Sequence, residues 1–252
     1  MGKGMRPLIA GNWKMHGTGA SLSEIAAVAQ WLDGNFPAAD VLICPPFTLV
    51  SRACEIAAGR LAIGGQDCHT QSAGAFTGEV SAEMLRDAGA AAVIVGHSER
   101  RRYHGETDAL VVAKADAAIR AGLVSVICVG ETWEEREAGR AEQVVRAQIA
   151  GSVPAEAHGA SAVIAYEPVW AIGTGCTPSA ADIARMHGCI RAALSRRPGG
   201  NGSQMRILYG GSVKVANAGE VLGLPNVNGA LVGGASLDAC EFLEIVRSLP
   251  AG

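Results

Sequence analysis

Aromatic and charged residues are both scarce in this sequence of 252 residues. Phe, Trp and Tyr together make up 4% of the chain and Asp, Glu, Lys and Arg 18%, against 49% hydrophobic residues. The hydrophobic share excludes an intrinsically disordered chain. The shortage of aromatics predicts a core of Ala, Val, Ile and Leu. The formal net charge of -3 gives no electrostatic reason to expect a nucleic-acid partner.

The chain also lacks paired cysteines and long apolar runs. Its seven cysteines occur singly, with no Cys-x-x-Cys pair, which predicts reduced thiols. No apolar run approaches the roughly 20 residues that cross a bilayer. The first residues, MGKGMRPLIA, show no signal-peptide pattern. We therefore expect a cytoplasmic protein with no membrane partner.

Eight short apolar runs alternate with helical patterns along the chain. Near-continuous apolar runs are typical of parallel strands that are covered on both faces. The predicted strands are Leu8–Trp13, Val41–Cys44, Leu61–Gly64, Ala91–Val95, Leu123–Val129, Ala162–Tyr166, Arg206–Leu208 and Ala230–Val232. The predicted helices include Ser21–Leu32, Ala109–Ala121, Glu131–Ala150, Ala180–Ser195 and Asp238–Ser248.

This alternation predicts an α/β protein with a single (β/α)8 barrel domain over residues 1–252. A doubly wound sheet is the alternative architecture. Its first strand should lead into a Gly-x-Gly-x-x-Gly turn, but here it leads into Gly11-Asn-Trp-Lys14. We therefore expect no dinucleotide cofactor.

Polar residues follow several predicted strands, and catalytic groups of a barrel come from the carboxyl ends of its strands. Asn12 and Lys14 follow the first strand and continue its inward phase at a period of two. His97 follows the fourth strand and opens a short helical turn, whose amides favour a neutral imidazole. Glu167 follows the sixth strand. Each of these residues also has a purely structural interpretation. In it, Asn12 and Lys14 mark a strand that has reached solvent and turned polar. His97 is then a structural histidine whose hydrogen bonds are satisfied, and Glu167 a helix-capping or salt-bridged carboxylate.

Two further segments bear on ligand binding. Pro168–Gly175 has a proline at one end, glycines at the other and an apolar tip, a pattern that suits a lid. Glycine pairs follow the seventh strand, in Tyr209-Gly-Gly-Ser212, and the eighth, at Gly233 and Gly234. Loops at these two strand ends are the usual phosphate site of a barrel.

Together these groups favour proton abstraction next to a carbonyl on a small phosphorylated substrate. No histidine spacing fits a metal site, and the sixth strand carries no lysine for a Schiff base. One rival is another phosphate-binding barrel enzyme, such as an epimerase or an indole-type synthase. The other is a barrel without catalytic activity that serves as a binding or structural protein.

Five motifs resemble those of the triosephosphate isomerase family, and the resemblance runs from near the N-terminus to the last helix. They are Gly11–Lys14, Gly96–Arg100, Ala165–Gly175, Tyr209–Ser212 and Leu231–Leu237. The stretch AYEPVWAIGTG is highly specific to that family. The resemblance implies interconversion of dihydroxyacetone phosphate and glyceraldehyde 3-phosphate through an enediolate, in glycolysis and gluconeogenesis, without cofactor or metal. A carboxylate base, a neutral histidine and a closing loop are that family's established mechanism.

The resemblance also implies a role for individual residues. Glu167 would be the base, and His97 would polarise the carbonyl and move protons between the substrate oxygens. Lys14 and Asn12 would stabilise the enediolate. Glu99 would tune Lys14, and Cys128 would support the base. Phosphate would be bound by the backbone around Gly173, Ser212, Gly233 and Gly234. The lid would comprise Pro168, Val169, Trp170, Ala171, Ile172, Gly173, Thr174 and Gly175.

The family is dimeric, and the long loop Gln66–Glu79 would reach the partner subunit near its Lys14. Thr77 would form the contact, and Phe76 at the tip favours a buried interface over a mobile surface loop. We therefore expect a homodimer. Cys176 departs from the family pattern, because many members have lysine at that position. Trp133 stands at a position that varies freely in the family.

Overall fold

Eight parallel strands form one closed barrel in the computed structural model, which describes residues 5–172, 178–197 and 201–249. Each strand pairs with the next in the sequence, and the last pairs with the first. The strands are β1 (Leu8–Asn12), β2 (Asp40–Cys44), β3 (Ala62–Gly65), β4 (Ala92–Val95), β5 (Val124–Val129), β6 (Ala162–Tyr166), β7 (Arg206–Tyr209) and β8 (Gly229–Val232). The (β/α)8 barrel prediction is confirmed, and the doubly wound alternative is excluded.

Helices occupy the segments between the strands and follow the last one. Within the described ranges they are α1 (Leu22–Gly34), α2 (Val50–Ala57), α3 (Ala82–Asp87), α4 (Ser98–His104), α5 (Asp108–Arg120), α6 (Trp133–Glu137), α7 (Ala141–Ser152), α8 (Ala180–Ser195), α9 (Val215–Leu222) and α10 (Ala239–Arg247). No helix of the described part of the chain is long and apolar enough to cross a membrane.

Alternate residues of each strand point into the barrel, because successive side chains of a strand lie on opposite faces. The interior cluster is built from small and branched side chains, with Leu8 and Ala10 from β1 and Val163 and Ala165 from β6 among them. The other strand faces pack against the helices in a larger cluster, in which Ala, Val, Ile and Leu predominate. The composition of the core follows the prediction.

The predicted helix Glu131–Ala150 is wrong as one element, because the chain forms α6 and α7 with a turn between them. Gly139 adopts a φ of 69° in that turn, a left-handed conformation that ends helices and that favours glycine. Thr132 and Glu135 form a reciprocal capping box at the start of α6. Asp238 caps α10 by accepting the N–H of Glu241 at 2.9 Å.

The strand boundaries agree with the predicted ones to within a residue, and one difference matters for the site. β1 ends at Asn12 and does not continue to Trp13. The six cysteines within the described ranges are free thiols, and Cys176 lies outside those ranges.

Candidate active site

A cleft of about 600 Å³ opens at the carboxyl ends of the strands. Four of its lining residues are the polar groups that the sequence singled out: Asn12 and Lys14 from the end of β1, His97 after β4 and Glu167 after β6. Ile172, Ser212, Gly233 and Gly234 line the same cleft. Gly173, Thr174 and Gly175, which the sequence also assigned to this region, lie outside the described residues.

Glu167 is a buried carboxylate held by the turn that follows β4. Its Oε2 accepts the backbone N–H of Ser98 at 2.9 Å, and its Oε1 accepts the Ser98 hydroxyl at 3.2 Å. The Nε2 atom of His97 lies 2.9 Å from Oε1. Burial raises the pKa of Glu167, but His97 and the hydrogen bonds from Ser98 lower it more, so the net pKa shift is downward. The group is therefore an ionised carboxylate, poised to accept a proton.

His97 is the N-cap residue of α4. Its Nδ1 accepts the backbone N–H of Glu99 at 3.2 Å. That nitrogen therefore carries no proton, and the proton of the neutral ring lies on Nε2, which faces Glu167. Burial lowers the pKa of His97, and the carboxylates of Glu167 and Glu99 raise it. The effect of the carboxylates is the larger, so the net pKa shift is upward. The upward shift therefore depends on the contact with Glu167.

Lys14 reaches the cleft through a turn and not through a continuation of the strand. The inward phase of β1 ends at Asn12, which is buried, and Lys14 adopts a left-handed φ of 53°. Its backbone N–H donates to Asn12 Oδ1 at 3.0 Å, and its backbone carbonyl accepts the Gln66 side-chain N–H at 2.9 Å. These bonds hold a conformation that costs of order 1–3 kcal/mol for a residue with a side chain. Its ammonium lies 2.6 Å from Glu99 Oε1.

Cys128 ends the interior row of β5 and is fully buried. Burial raises the pKa of its thiol well above the usual value, and the nearby Glu167 carboxylate raises it further. The group is therefore a neutral thiol beside the base.

The glycines of the cleft fall into two kinds. A Cβ at Gly211 would lie 2.2 Å from the Tyr209 hydroxyl, and one at Gly210 would lie 3.0 Å from Glu167 Cγ. The protein's own packing therefore leaves no space for a side chain at Gly211 and little at Gly210. Among the described residues, a Cβ at Gly234 would meet no atom within 4 Å, and one at Gly233 would meet only Lys14 Cε at 3.8 Å. At these two positions glycine leaves room in the cleft for a ligand.

The first half of the predicted lid packs against α6 and the residues before it. Val169–Ala171 forms a 3-10 turn, and the indole N–H of Trp170 donates to Glu131 Oε1 at 2.9 Å. The guanidinium carbon of Arg136 lies 4.4 Å from the Trp170 ring centroid. Tyr166 donates its hydroxyl to the same Glu131 oxygen at 3.1 Å.

Three residues of this region escaped the sequence analysis as functional residues. Ser98 had a signal, because it follows His97 directly in the motif Gly96–Arg100. Gln66 and Glu131 had none, because each acts on a segment far away in the sequence.

The loop after β3 lies outside the cleft. The Phe76 side chain is 43% exposed, with its ring centroid 4.0 Å from that of His69. Thr77 beside it is exposed.

A closed parallel barrel with ionisable side chains gathered at the carboxyl ends of its strands is the architecture of a (β/α)8-barrel enzyme. The family model of triosephosphate isomerase matches residues 7–249. A relative from Afipia carboxidovorans, named triosephosphate isomerase, is 58% identical over 247 residues, which cover 98% of each chain. One of the same name from Mesorhizobium japonicum is 56% identical over 250 residues, again 98% of each chain.

The solved structures agree with the sequence relatives. The crystal structure of triosephosphate isomerase from Bartonella henselae superposes with a TM-score of 0.90 at 49% identity, over 97% of this chain and 99% of that one. The chain belongs to the triosephosphate isomerase family.

Proposed function

We propose that the whole chain, residues 1–252, is one catalytic domain whose cleft performs the reaction of its family in the cytoplasm. The protein is an isomerase that interconverts dihydroxyacetone phosphate and D-glyceraldehyde 3-phosphate, a step of glycolysis and gluconeogenesis. The assignment of the site rests on one observation. Lys14, His97 and Glu167, from strands far apart in the sequence, line one cleft beside unobstructed glycines.

Glu167 is the base. Its ionised carboxylate takes a proton from one substrate carbon, which leaves an enediolate, and returns a proton to the neighbouring carbon. The charge that develops on the substrate oxygens is the main cost of this step, and donors already in position in a dry cavity stabilise it most.

His97 and Glu167 are coupled, because the carboxylate raises the pKa of the imidazole only while the two are in contact. When Glu167 turns from Ser98 towards the substrate, burial lowers the pKa of His97. The amide of Glu99 donating to Nδ1 then keeps the ring neutral. A neutral ring with its proton on Nε2 donates to the carbonyl oxygen and moves protons between the two oxygens.

Lys14 and Asn12 supply the remaining donors to the enediolate. Glu99 holds the ammonium of Lys14 in place by the contact of 2.6 Å. Cys128 supports the base by presenting an uncharged thiol to it, so that no second negative charge competes for the same space.

The phosphate group occupies the other end of the cleft. We assign its binding to the backbone around Ser212, Gly233 and Gly234, with Gly173 from the lid. The lid, Pro168–Gly175, excludes water once closed and protects the enediolate from losing its phosphate. Binding energy from the phosphate group drives that closure.

The active protein is a homodimer. Large apolar side chains are exposed in the segments that follow three consecutive strands: Met15 after β1, Phe47 after β2 and Phe76 in the long loop after β3. Consecutive parallel strands place these ends side by side, and exposed apolar surface of this kind marks an interface. Gln66, at the base of the same loop as Phe76 and Thr77, bonds the backbone of Lys14. The interface therefore supports the active site.

The direct test is turnover of glyceraldehyde 3-phosphate by the purified protein in an assay coupled to removal of dihydroxyacetone phosphate. Lys14→Ala should lower kcat and raise KM, because its charge serves both substrate and transition state. A change in thermal stability alone would assign Lys14 to a structural ion pair. Absence of turnover by the unaltered protein would favour a non-catalytic barrel.

A further inference from the structure

We infer that Lys214 is a further substrate-binding residue, whose ammonium attracts the phosphate dianion into the cleft. The inference rests on the proposed function, since it concerns the same substrate. It goes beyond that function by naming a side chain that the family motifs in this chain do not include.

The chain has only four lysines, at positions 3, 14, 114 and 214, and Lys3 lies outside the described residues. Lys14 is paired with Glu99. Lys114 is buried between Asp67, at 2.8 Å, and Glu106, at 2.5 Å. Lys214 is exposed and has no carboxylate within 4.0 Å in the described ranges. Its charge is therefore available to a ligand.

Lys214 lies at the phosphate end of the cleft, which it lines together with Ser212 and Gly233. Its backbone N–H donates to Asn217 Oδ1 at 2.8 Å, and Asn217 Nδ2 donates to the Ser212 carbonyl at 3.1 Å. One side chain thus fixes the backbone of both Ser212 and Lys214. The lysine also directly precedes α9, whose amino-terminal end carries partial positive charge.

A carboxylate of the same cleft has the opposite effect. Glu241, in the first turn of α10, also lines the cleft and repels an anion. The protein as a whole carries a formal charge of -3, and a phosphate monoester carries about -1.5 to -2 at neutral pH. Lys14 of the same cleft is paired with Glu99, so Lys214 supplies the local positive charge that opposes this repulsion.

The charge of Lys214 acts on capture of the substrate more than on chemistry. An exposed ammonium is hydrated, so its ion pairs contribute little binding energy. Its electric field nevertheless extends over a Debye length, about 30 Å at 0.01 M salt and 8 Å at 0.15 M. Its contribution should therefore appear in kcat/KM, be largest at low ionic strength and fade as salt is added.

The experiment measures kcat/KM against ionic strength for Lys214→Gln, Lys214→Arg, Glu241→Gln and the matched control Arg196→Gln. Arg196 is exposed at the end of α8, on the opposite face of the barrel, so its variant makes the same charge change far from the cleft. At about 0.01 M salt we expect Lys214→Gln to lose about fivefold in kcat/KM and Glu241→Gln to gain about twofold. Lys214→Arg and Arg196→Gln should remain within about 1.5-fold of the unaltered protein.

A second comparison separates charge from shape. Glyceraldehyde without phosphate offers no anion, so the preference for the phosphorylated substrate over glyceraldehyde should fall in Lys214→Gln by the same factor of about five. Three results for Lys214→Gln would each overturn the inference. They are an equal proportional loss of activity on both substrates, a loss of kcat/KM no greater than that of Arg196→Gln, and a loss of kcat/KM that does not depend on salt. Inactivity of the unaltered protein would instead overturn the proposed function.

Discussion

A single carboxylate, Glu167, bears most of the chemistry proposed for this protein, and its position depends on residues that precede it by about 70 positions in the sequence. Ser98 and His97 hold both of its oxygens within 3.2 Å. The side chain is buried, and yet its pKa is lowered, because these donors outweigh the effect of burial. These contacts hold the carboxylate at Ser98, and in the proposed reaction it turns from there towards the substrate.

Shortening the Glu167 side chain should be costly. Glu167→Asp withdraws the carboxylate by roughly 1 Å, and a displacement of that size can lower the rate by about 100-fold. We expect the loss in kcat, with little change in KM, measured by the coupled assay. Glu156→Asp, the same change in an exposed loop, is the control. Unchanged turnover in Glu167→Asp would remove this residue from its role as the base.

The coupling between Glu167 and His97 gives a prediction about protonation. Glu167→Gln removes the main group that raises the pKa of His97, so that burial should lower it. Nuclear magnetic resonance titration of the His97 ring should show a lower pKa in the variant than in the unaltered protein. Equal values in the two proteins would contradict the coupling.

The same shifts determine how stability depends on pH. The pKa of His97 is raised from 6.5, so its stabilising contribution is complete below pH 6.5 and is lost as the pH rises through the folded-state value. The pKa of Glu167 is lowered from 4.5, so its contribution is present above pH 4.5 and is lost as the pH falls through the folded-state value. Glu167→Gln should therefore lower the free energy of unfolding most between about pH 4.5 and 6.5.

At the scale of elements, the loops after β7 and β8 combine two demands on glycine. Close packing leaves no space for a side chain at Gly211, beside Tyr209, and little at Gly210, beside Tyr166 and Glu167. In the part of the chain that the structure describes, no atom lies within 4 Å of a Cβ at Gly234, and only Lys14 lies that near one at Gly233. Both pairs look alike in the sequence, and only the positions of neighbouring atoms separate them.

This difference predicts the effect of adding one methyl group. Gly234→Ala should raise KM about tenfold, because the methyl group enters the space of the phosphate. A Gly→Ala change at a position whose backbone conformation suits alanine stabilises a fold by about 0.4–1 kcal/mol. We therefore expect an unchanged or higher melting temperature. Gly211→Ala, with its contact at Tyr209, should instead lower the melting temperature. A Gly234→Ala protein with unaltered KM would place the phosphate elsewhere.

At the scale of the whole molecule, the exposed apolar side chains after β1, β2 and β3 predict self-association. Sedimentation at micromolar concentration should give a species of twice the chain mass, and Phe76→Asp should shift it towards the monomer with loss of activity. Phe36, 96% exposed after α1 at the other end of the barrel, provides the control Phe36→Asp, which should remain dimeric. A single monomeric species of the unaltered protein would refute the dimer.

The sequence predicted the strands with few errors, because parallel strands buried on both faces are continuous apolar runs. It was less reliable where a local signal competes with the helical pattern. The charged stretch 131–150 reads as one helix, but Gly139 in a left-handed turn divides it. The strand phase placed Asn12 in the cleft, and Lys14 also lines the cleft but reaches it through a left-handed turn beyond the end of β1.

The sequence by itself determined the order of strands and helices, the composition of the core and the residues that stand at the strand ends, because these depend on periodicity and on neighbours along the chain. Only the tertiary structure decided which glycines leave space for a ligand, that Ser98 holds the base, that Gln66 holds the backbone of Lys14 and that Lys214 keeps an unpaired charge. Each of these is a contact, or an absence of contact in the described ranges, between segments that meet only when the barrel closes. Such distances are set by packing in three dimensions and leave no regular mark in the sequence.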